Sequence, residues 1–240
     1  MKKGIYFLAI LNGFLFFTSS CKKDDDNNPS NMTNGKTTAV FNSKLVYGTM
    51  TDQDGNTYKT IKIGTQTWMA ENLRTTKYRN GDSIPEVINI LKWGGLSTGA
   101  YCSFYNTKNY DTIATYGRYY NWFAVSDSRN RAPIGWHIAS DSEWTTLITY
   151  LGDSIAGSKL KEIGITHWVS PNIADNSSGF TALPGGGAGI AGIGYFGSWW
   201  SSTEINSNNA YTWGMVHNSS VVFKDTTEKN GGNSVRCIKD

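Results

Sequence analysis

The chain has 240 residues, a formal net charge of +3, 13% aromatic residues and 26 glycines. This composition is typical of a loop-rich β or α+β domain with aromatic residues in its core, and it excludes a helical bundle. No basic segment alternates with aromatic residues, so we do not expect nucleic acid as a partner.

The N-terminus has the features of a lipoprotein signal peptide. Residues 1–3 are positively charged, residues 5–17 are largely apolar, and small residues precede Cys21. The apolar stretch is shorter than the roughly 20 residues that a membrane-spanning helix needs. We therefore expect a signal peptide over residues 1–20, cleavage after it, and lipid attachment at Cys21. The alternative is a soluble secreted protein in which Cys21 has no such role.

A polar segment follows. Residues 22–31 contain no apolar side chain and cannot offset the entropy lost on ordering, so residues 21–45 are predicted to be a disordered tether before a domain over residues 46–240. The basic-then-acidic run at 22–26 resembles the export signal of Bacteroidetes-type surface lipoproteins, and a plain spacer is the alternative. The resulting expectation is an outer-membrane lipoprotein, exposed on the cell surface and held in the membrane by its lipid.

The first predicted elements are strands. Residues 46–50 and 58–63 flank the turn dipeptide Asp54-Gly55, and a second turn leads to a strand at 67–69. Asp52, Asp54 and Asn56 lack the glutamate and the spacing of a calcium loop, so we interpret them as turn residues. Residues 100–105 are predicted to be a strand, and the aromatic run at 116–125 a strand or a short helix.

The clearest helix follows Ser140. Ser140 and Glu143 have capping-box spacing, an apolar stripe at i, i+3, i+4 and i+7 begins at Trp144, and Gly152 ends the pattern. A second, shorter helix is predicted over residues 154–162. The remaining predicted elements are strands, at 197–202, 210–216, 220–223 and 234–238.

Seven phrases of the chain resemble one family. They are Asp54-Gly55-Asn56-Thr57-Tyr58-Lys59, Trp68-Met69-Ala70-Glu71-Asn72-Leu73, Tyr116-Gly117-Arg118-Tyr119-Tyr120-Asn121-Trp122, Gly135-Trp136-His137-Ile138, Gly179-Phe180-Thr181-Ala182-Leu183-Pro184-Gly185-Gly186, Trp199-Trp200-Ser201-Ser202-Thr203-Glu204 and Ser234-Val235-Arg236-Cys237. In this order they resemble the Fibrobacter succinogenes major paralogous domain, found in surface lipoproteins of Bacteroidetes and Fibrobacteres. The resemblance implies an α+β, C-type-lectin-like fold, with a twisted antiparallel sheet, two helices and long irregular loops.

Three cysteines are present. With Cys21 lipidated, Cys102 and Cys237 remain as a pair in an oxidising compartment, and we expect a disulfide between them. Two free, buried thiols are the alternative. The family usually has a cysteine where this chain has Ala132.

We expect no catalytic, metal or cofactor site. No two histidines have metal-ligand spacing and no Cys-x-x-Cys occurs. His137 is interpreted as a structural hydrogen-bonding residue. Glu71, Glu143 and Glu204 are the carboxylates that a glycosidase would need, but backbone capping is the preferred role for them. Residues 184–196 contain no carboxylate, which argues against calcium-dependent sugar binding.

Tyr195 and Phe196, between two glycines, are the candidate ligand contacts. They either stack on a sugar or a peptide or fold back onto the core. The expected function is a non-catalytic binding or adhesion module whose ligand is a glycan or a surface protein. The alternatives are a carbohydrate-active or protein-modifying enzyme on the same fold and a structural surface component.

Overall fold

The computed structural model describes residues 31–187 and 192–240, which form an α+β domain with antiparallel sheets. The strands in this part of the chain are β1 (Gly48–Thr51), β2 (Thr57–Ile63), β3 (Gln66–Met69), β4 (Tyr101–Cys102), β5 (Tyr119–Tyr120), β6 (Trp136–Ile138), β7 (Phe196–Glu204), β8 (Asn209–Val216), β9 (Val222–Glu228) and β10 (Cys237–Lys239). The helices are α1 (Ile90–Trp93), α2 (Tyr110–Tyr116), α3 (Trp122–Ser126), α4 (Asp141–Leu151) and α5 (Ala156–Leu160).

The described strands form three sheets. The largest has the order β1-β2-β3-β10-β6, a second has the order β7-β8-β9, and β4 pairs with β5. In β10, Ile238 lies between Trp68 of β3 and His137 of β6. The last strand therefore joins the N-terminal hairpin to the middle of the chain.

Aromatic side chains from the glycine- and tryptophan-rich phrases fill the core. The ring centroids of Trp68 and Trp144 lie 5.0 Å apart, those of Trp144 and Phe180 5.7 Å, and those of Phe180 and Trp199 6.5 Å. All four side chains are fully buried. Burial of each such ring removes roughly 150–250 Å² of surface from water. The aromatic residues of these phrases therefore stabilise the packing of the sheets against α4.

Helix α4 begins and ends where the sequence predicts. The Ser140 side chain accepts from the backbone N–H of Glu143, the Glu143 carboxylate accepts from the Ser140 backbone N–H, and Gly152 caps the C-terminus. Helix α5 is shorter than predicted, because Lys161 adopts an extended conformation. The described residues contain three further short helices, α1, α2 and α3. The aromatic run at 116–125, for which the sequence allowed either a strand or a short helix, contains both β5 and α3.

Residues 31–45 differ from the prediction of a disordered tether. Arg74 Nε donates to Thr33 Oγ1 at 2.7 Å, and Thr33 is only 3% exposed. Further along, Phe41 and Leu45 pack against the main core. Apolar residues in this segment offset the cost of ordering it, so residues 31–45 pack as part of the domain, which extends N-terminal to residue 46. Residues 21–30 lie outside the described part of the chain.

Within the described residues, no helix has the length and apolar character needed to cross a membrane.

Candidate ligand-binding site

The sheet β7-β8-β9 has one face in the main core, and the other face is partly at the surface and partly covered where Trp200 packs into a second cluster. Trp199 and Trp213 are paired across β7 and β8 and point into the core. Because side chains alternate along a strand, the intervening positions point the other way. Ser198, Thr212 and Phe223 lie on this outer face and line a cavity of about 500 Å³. Cavities of this size are typical of small-ligand sites.

The floor of the cavity contains an aromatic ring lying across a glycine. Phe223 on β9 is opposite Gly214 on β8. A Cβ atom at Gly214 would lie 2.2 Å from the Cζ atom of Phe223, so only glycine leaves room for the ring in this position. The Phe223 side chain remains 38% exposed and offers a flat apolar surface to the cavity.

Tyr195 and His217 form one end of the cavity. Their rings meet edge to face with centroids 5.6 Å apart, and the His217 backbone N–H donates to the Tyr195 carbonyl at 2.9 Å. The Nδ1 atom of His217 lies 3.2 Å from the Pro171 carbonyl, which can only accept, so Nδ1 carries the proton. Both sequence-predicted contacts, Tyr195 and Phe196, line this cavity. Tyr195 is 57% exposed and thus does not fold back onto the core.

The opposite end of the cavity is polar. The Thr212 and Thr227 hydroxyl oxygens lie 3.1 Å apart, and Asp225 accepts a hydrogen bond from the Thr226 N–H at 2.7 Å. Asn233 is 6% exposed, its backbone is bonded to that of Tyr120, and its Nδ2 has no hydrogen-bond acceptor among the described residues. The polar end thus offers a carboxylate acceptor and hydroxyl groups, with the Asn233 amide in the lining beside them.

Few metal-ligating side chains line the described part of the cavity. Across the described residues, no three His, Cys, Asp or Glu side chains group so as to hold a metal ion. Asp225 is the carboxylate and His217 the imidazole of the described lining, and no lysine or arginine is part of it. The chemistry available is ring stacking and hydrogen bonding to a ligand.

The predicted carboxylates lie elsewhere and have structural partners. Glu71 accepts from the Lys59 backbone N–H at 2.5 Å and lies 3.7 Å from Arg74, and burial raises the pKa of its carboxyl. Glu204 is paired with Lys229. Glu71 thus bonds a backbone N–H as expected, whereas the partner given for Glu204 is a lysine side chain and not a backbone group.

His137 connects the end of the chain to α4. Its Nε2 lies 2.7 Å from a Glu143 carboxylate oxygen and its Nδ1 2.6 Å from one of Asp240. Burial opposes the charged form, but the hydrogen bonds to Asp240 and Glu143 outweigh it and raise the pKa of His137. His137 thus has the structural hydrogen-bonding role expected from the sequence.

A second histidine site is not visible in the sequence, because its members lie far apart in the chain. His167 Nδ1 lies 2.7 Å from the fully buried carboxylate of Glu162, and His167 Nε2 lies 2.9 Å from the Thr38 hydroxyl. Glu162 also accepts from the Val40 backbone N–H at 2.5 Å. This group, Thr38, Val40, Glu162 and His167, fixes the N-terminal segment to the domain, and we call it the N-terminal clamp.

The predicted disulfide between Cys102 and Cys237 is wrong, since both cysteines are free and buried. Cys102 packs in a small cluster with Trp93 and Tyr119, whereas Cys237 belongs to a different cluster. The thiols therefore act as small apolar side chains. Burial raises the pKa of each to about 12, so both remain protonated at neutral pH.

Two parts of the predicted sites lie outside the described residues. They are the lipid-attachment residue Cys21 and residues 188–191 of the glycine-rich stretch.

Fold and cavity together define an α+β domain with a concave surface site on the sheet β7-β8-β9. A model of the Fibrobacter succinogenes major domain matches residues 61–239, and the chain belongs to that family. Comparison with curated proteins and with solved structures gives no match.

Proposed function

We propose that this protein is a cell-surface lipoprotein whose domain is a non-catalytic binding or adhesion module for a glycan or a protein. The observation that carries the proposal is the cavity on the outer face of β7-β9, with aromatic side chains at one end and, at the other, polar side chains that include one amide nitrogen, that of Asn233, without a partner among the described residues. Such a combination of apolar surface and a few polar groups is the usual form of a ligand site.

The proposal includes a C-type-lectin-like fold. Two features support it: an antiparallel sheet in which the last strand pairs with the third, and long irregular connections between β3 and β6. The described residues contain five α-helices, whereas the resemblance implied two.

The proposed anchor is a lipid on Cys21, which places the domain at the outer-membrane surface. Replacing this residue, Cys21→Ser, removes the acceptor thiol. We expect the variant to leave the membrane fraction on cell fractionation while the unaltered protein stays in it. A variant that still sediments with membranes would refute lipid anchoring.

Binding is tested with the soluble Cys21→Ser chain on a glycan array and a peptide array. We expect saturable binding to at least one array, lost when Tyr195 and Phe196 are both replaced by alanine. Exposed Tyr150 provides a control, since its alanine variant should bind as the parent does. No binding to either array, or binding that survives the double substitution, would contradict the proposal.

A second candidate, an enzyme on the same fold, is favoured by one observation. The contacts in the N-terminal clamp run from the Thr38 hydroxyl through His167 to Glu162, the order of groups in a hydrolase triad. However, Thr38 Oγ1 also lies 2.9 Å from Thr115 Oγ1, which ties it into the packing of α2. Ester hydrolysis that Thr38→Ala abolishes and Thr37→Ala preserves would decide for the enzyme.

A purely structural surface component would instead self-associate without added ligand.

A further inference from the structure

The charge of the cavity limits what it can hold. Asp225 is the carboxylate of its described lining, and neither lysine nor arginine lines it. The nearest lysine in sequence, Lys224, points to the opposite face, where its Nζ lies 2.8 Å from Asp141 and 3.6 Å from the centroid of the Tyr211 ring. An anionic ligand would therefore meet a carboxylate without a compensating cation.

The floor favours a flat ring with an apolar face. Phe223 lies across Gly214 on the edge strand β9, so its ring is open on the cavity side. The face of an aromatic ring carries partial negative charge, which attracts the C–H groups on one face of a sugar ring. A flexible aliphatic chain would cover Phe223 equally well but would remove water from the polar end without replacing its hydrogen bonds.

The polar end has both kinds of hydrogen-bonding group close to that ring. Asp225 follows Phe223 by two positions on β9 and, when ionised, only accepts. Asn233 lines the cavity, and its amide nitrogen has no acceptor among the described residues, so a ligand hydroxyl that reaches this amide can satisfy it. A hydroxyl both donates and accepts, so neighbouring hydroxyls on one ring satisfy an acceptor and a donor together.

We infer that the cavity binds a neutral saccharide without a metal ion. One sugar ring stacks on Phe223, and its hydroxyls form hydrogen bonds with Asp225 and Asn233. This inference rests on the proposed binding function and specifies its ligand class.

The test uses the Cys21→Ser chain on an array of neutral, uronate-containing and sialate-containing oligosaccharides, with lysine-rich peptides printed beside them. Affinities for each bound probe are then measured by calorimetry at low and high salt and with EDTA. Phe223→Ala removes the stacking surface, Phe223→Leu keeps apolar volume without a flat face, and Asn233→Ala removes the amide. Tyr211→Ala is the matched control, because it removes an aromatic ring from the other face of the same sheet.

We expect a neutral oligosaccharide to bind with an affinity that salt and EDTA leave unchanged. Both Phe223 variants should weaken binding about tenfold or more, Asn233→Ala should weaken it severalfold, and Tyr211→Ala should leave it unaltered. Circular dichroism and thermal melting of each variant show whether its fold is intact. If Phe223→Ala does not fold, the binding affinities of Phe223→Leu and Asn233→Ala test the inference instead.

Three results would overturn the inference. Selective binding of acidic glycans, loss of binding in EDTA, or binding of lysine-rich peptides alone would each assign another ligand class. Peptide binding that the Phe223 variants abolish would still leave the proposed binding function in place. The absence of binding to every probe would overturn both.

Discussion

Buried polar side chains fix the geometry of this domain residue by residue. Arg236 is fully buried, and its guanidinium donates to the Asn72 side chain at 2.7 Å and to the Met69, Phe180 and Thr181 carbonyls at 2.8 to 3.1 Å. One side chain thus joins β10 to the end of β3 and to the glycine-rich phrase. These hydrogen bonds explain why an arginine lies in the buried segment directly before β10.

Substituting this arginine, Arg236→Lys, should destabilise the fold. A lysine cannot present the planar set of donors that reaches all four acceptors, and buried acceptors left without partners cost about 1–3 kcal/mol each. We expect a loss of roughly 2–4 kcal/mol in the free energy of unfolding, measured by urea denaturation. Lys108→Arg, at an exposed ion pair with Glu86, is the control and should change it by less than about 0.5 kcal/mol. Equal stability of both variants would contradict this role of Arg236.

The two buried thiols should resist chemical labelling as long as the protein is folded. In the Cys21→Ser chain, without reductant, neither Cys102 nor Cys237 should react with a thiol reagent at pH 8, because both are buried with pKa values of about 12. After unfolding in denaturant the thiolate fraction rises and the protection is lost, so both should react. Mass spectrometry that finds no labelled cysteine in the unfolded, unreduced chain would instead establish a disulfide.

Among the elements, local patterns predicted what depends on local physics. The capping box at Ser140 and the glycine after Leu151 are short-range signals, and α4 has the predicted bounds. Strands β7 and β8 also follow the predicted β-prone runs, whereas β9 begins at Val222 and extends to Glu228, well past the predicted run at 220–223. The sequence could not predict the cavity, because the cavity depends on the register in which β8 and β9 pair. Phe223 lies opposite Gly214 only in the observed register. Only its two neighbours Tyr195 and Phe196 could be singled out from the sequence.

The N-terminal segment was mispredicted for a related reason. Its polar beginning satisfies the composition rule for disorder, but Thr38 and Asn42 have partners more than 75 residues away in sequence. Thr38 bonds Thr115 and His167, and Asn42 bonds the Asn176 carbonyl at 3.0 Å. Such long-range contacts leave no local signal.

Removing this segment should weaken the domain. A chain beginning at residue 46 loses the N-terminal clamp and the packing of Phe41 and Leu45 on the core. We expect its free energy of unfolding to fall by about 2–5 kcal/mol relative to the Cys21→Ser chain. A chain beginning at residue 31 is the control and should match that chain in urea denaturation. Unchanged stability from residue 46 onward would mean that the segment adds nothing to the fold.

At the scale of the whole molecule, the early start of the domain changes the geometry of anchoring. Ten residues connect Cys21 to residue 31, and ten residues span at most about 35 Å. A lipid on Cys21 would therefore hold the folded domain close to the bilayer, rather than on the long tether that the sequence predicted. The cavity on β7-β9 would then meet ligands near the cell surface.

The central claim is that the outer face of β7-β9 is the binding surface. Hydrogen–deuterium exchange of the Cys21→Ser chain, with and without a saturating saccharide that binds it on the array, tests this most directly. We predict slower exchange on ligand addition in segments 195–198 and 223–227, with no change over β1 and β2. Protection confined to another surface, with these two segments unchanged, would contradict the claim.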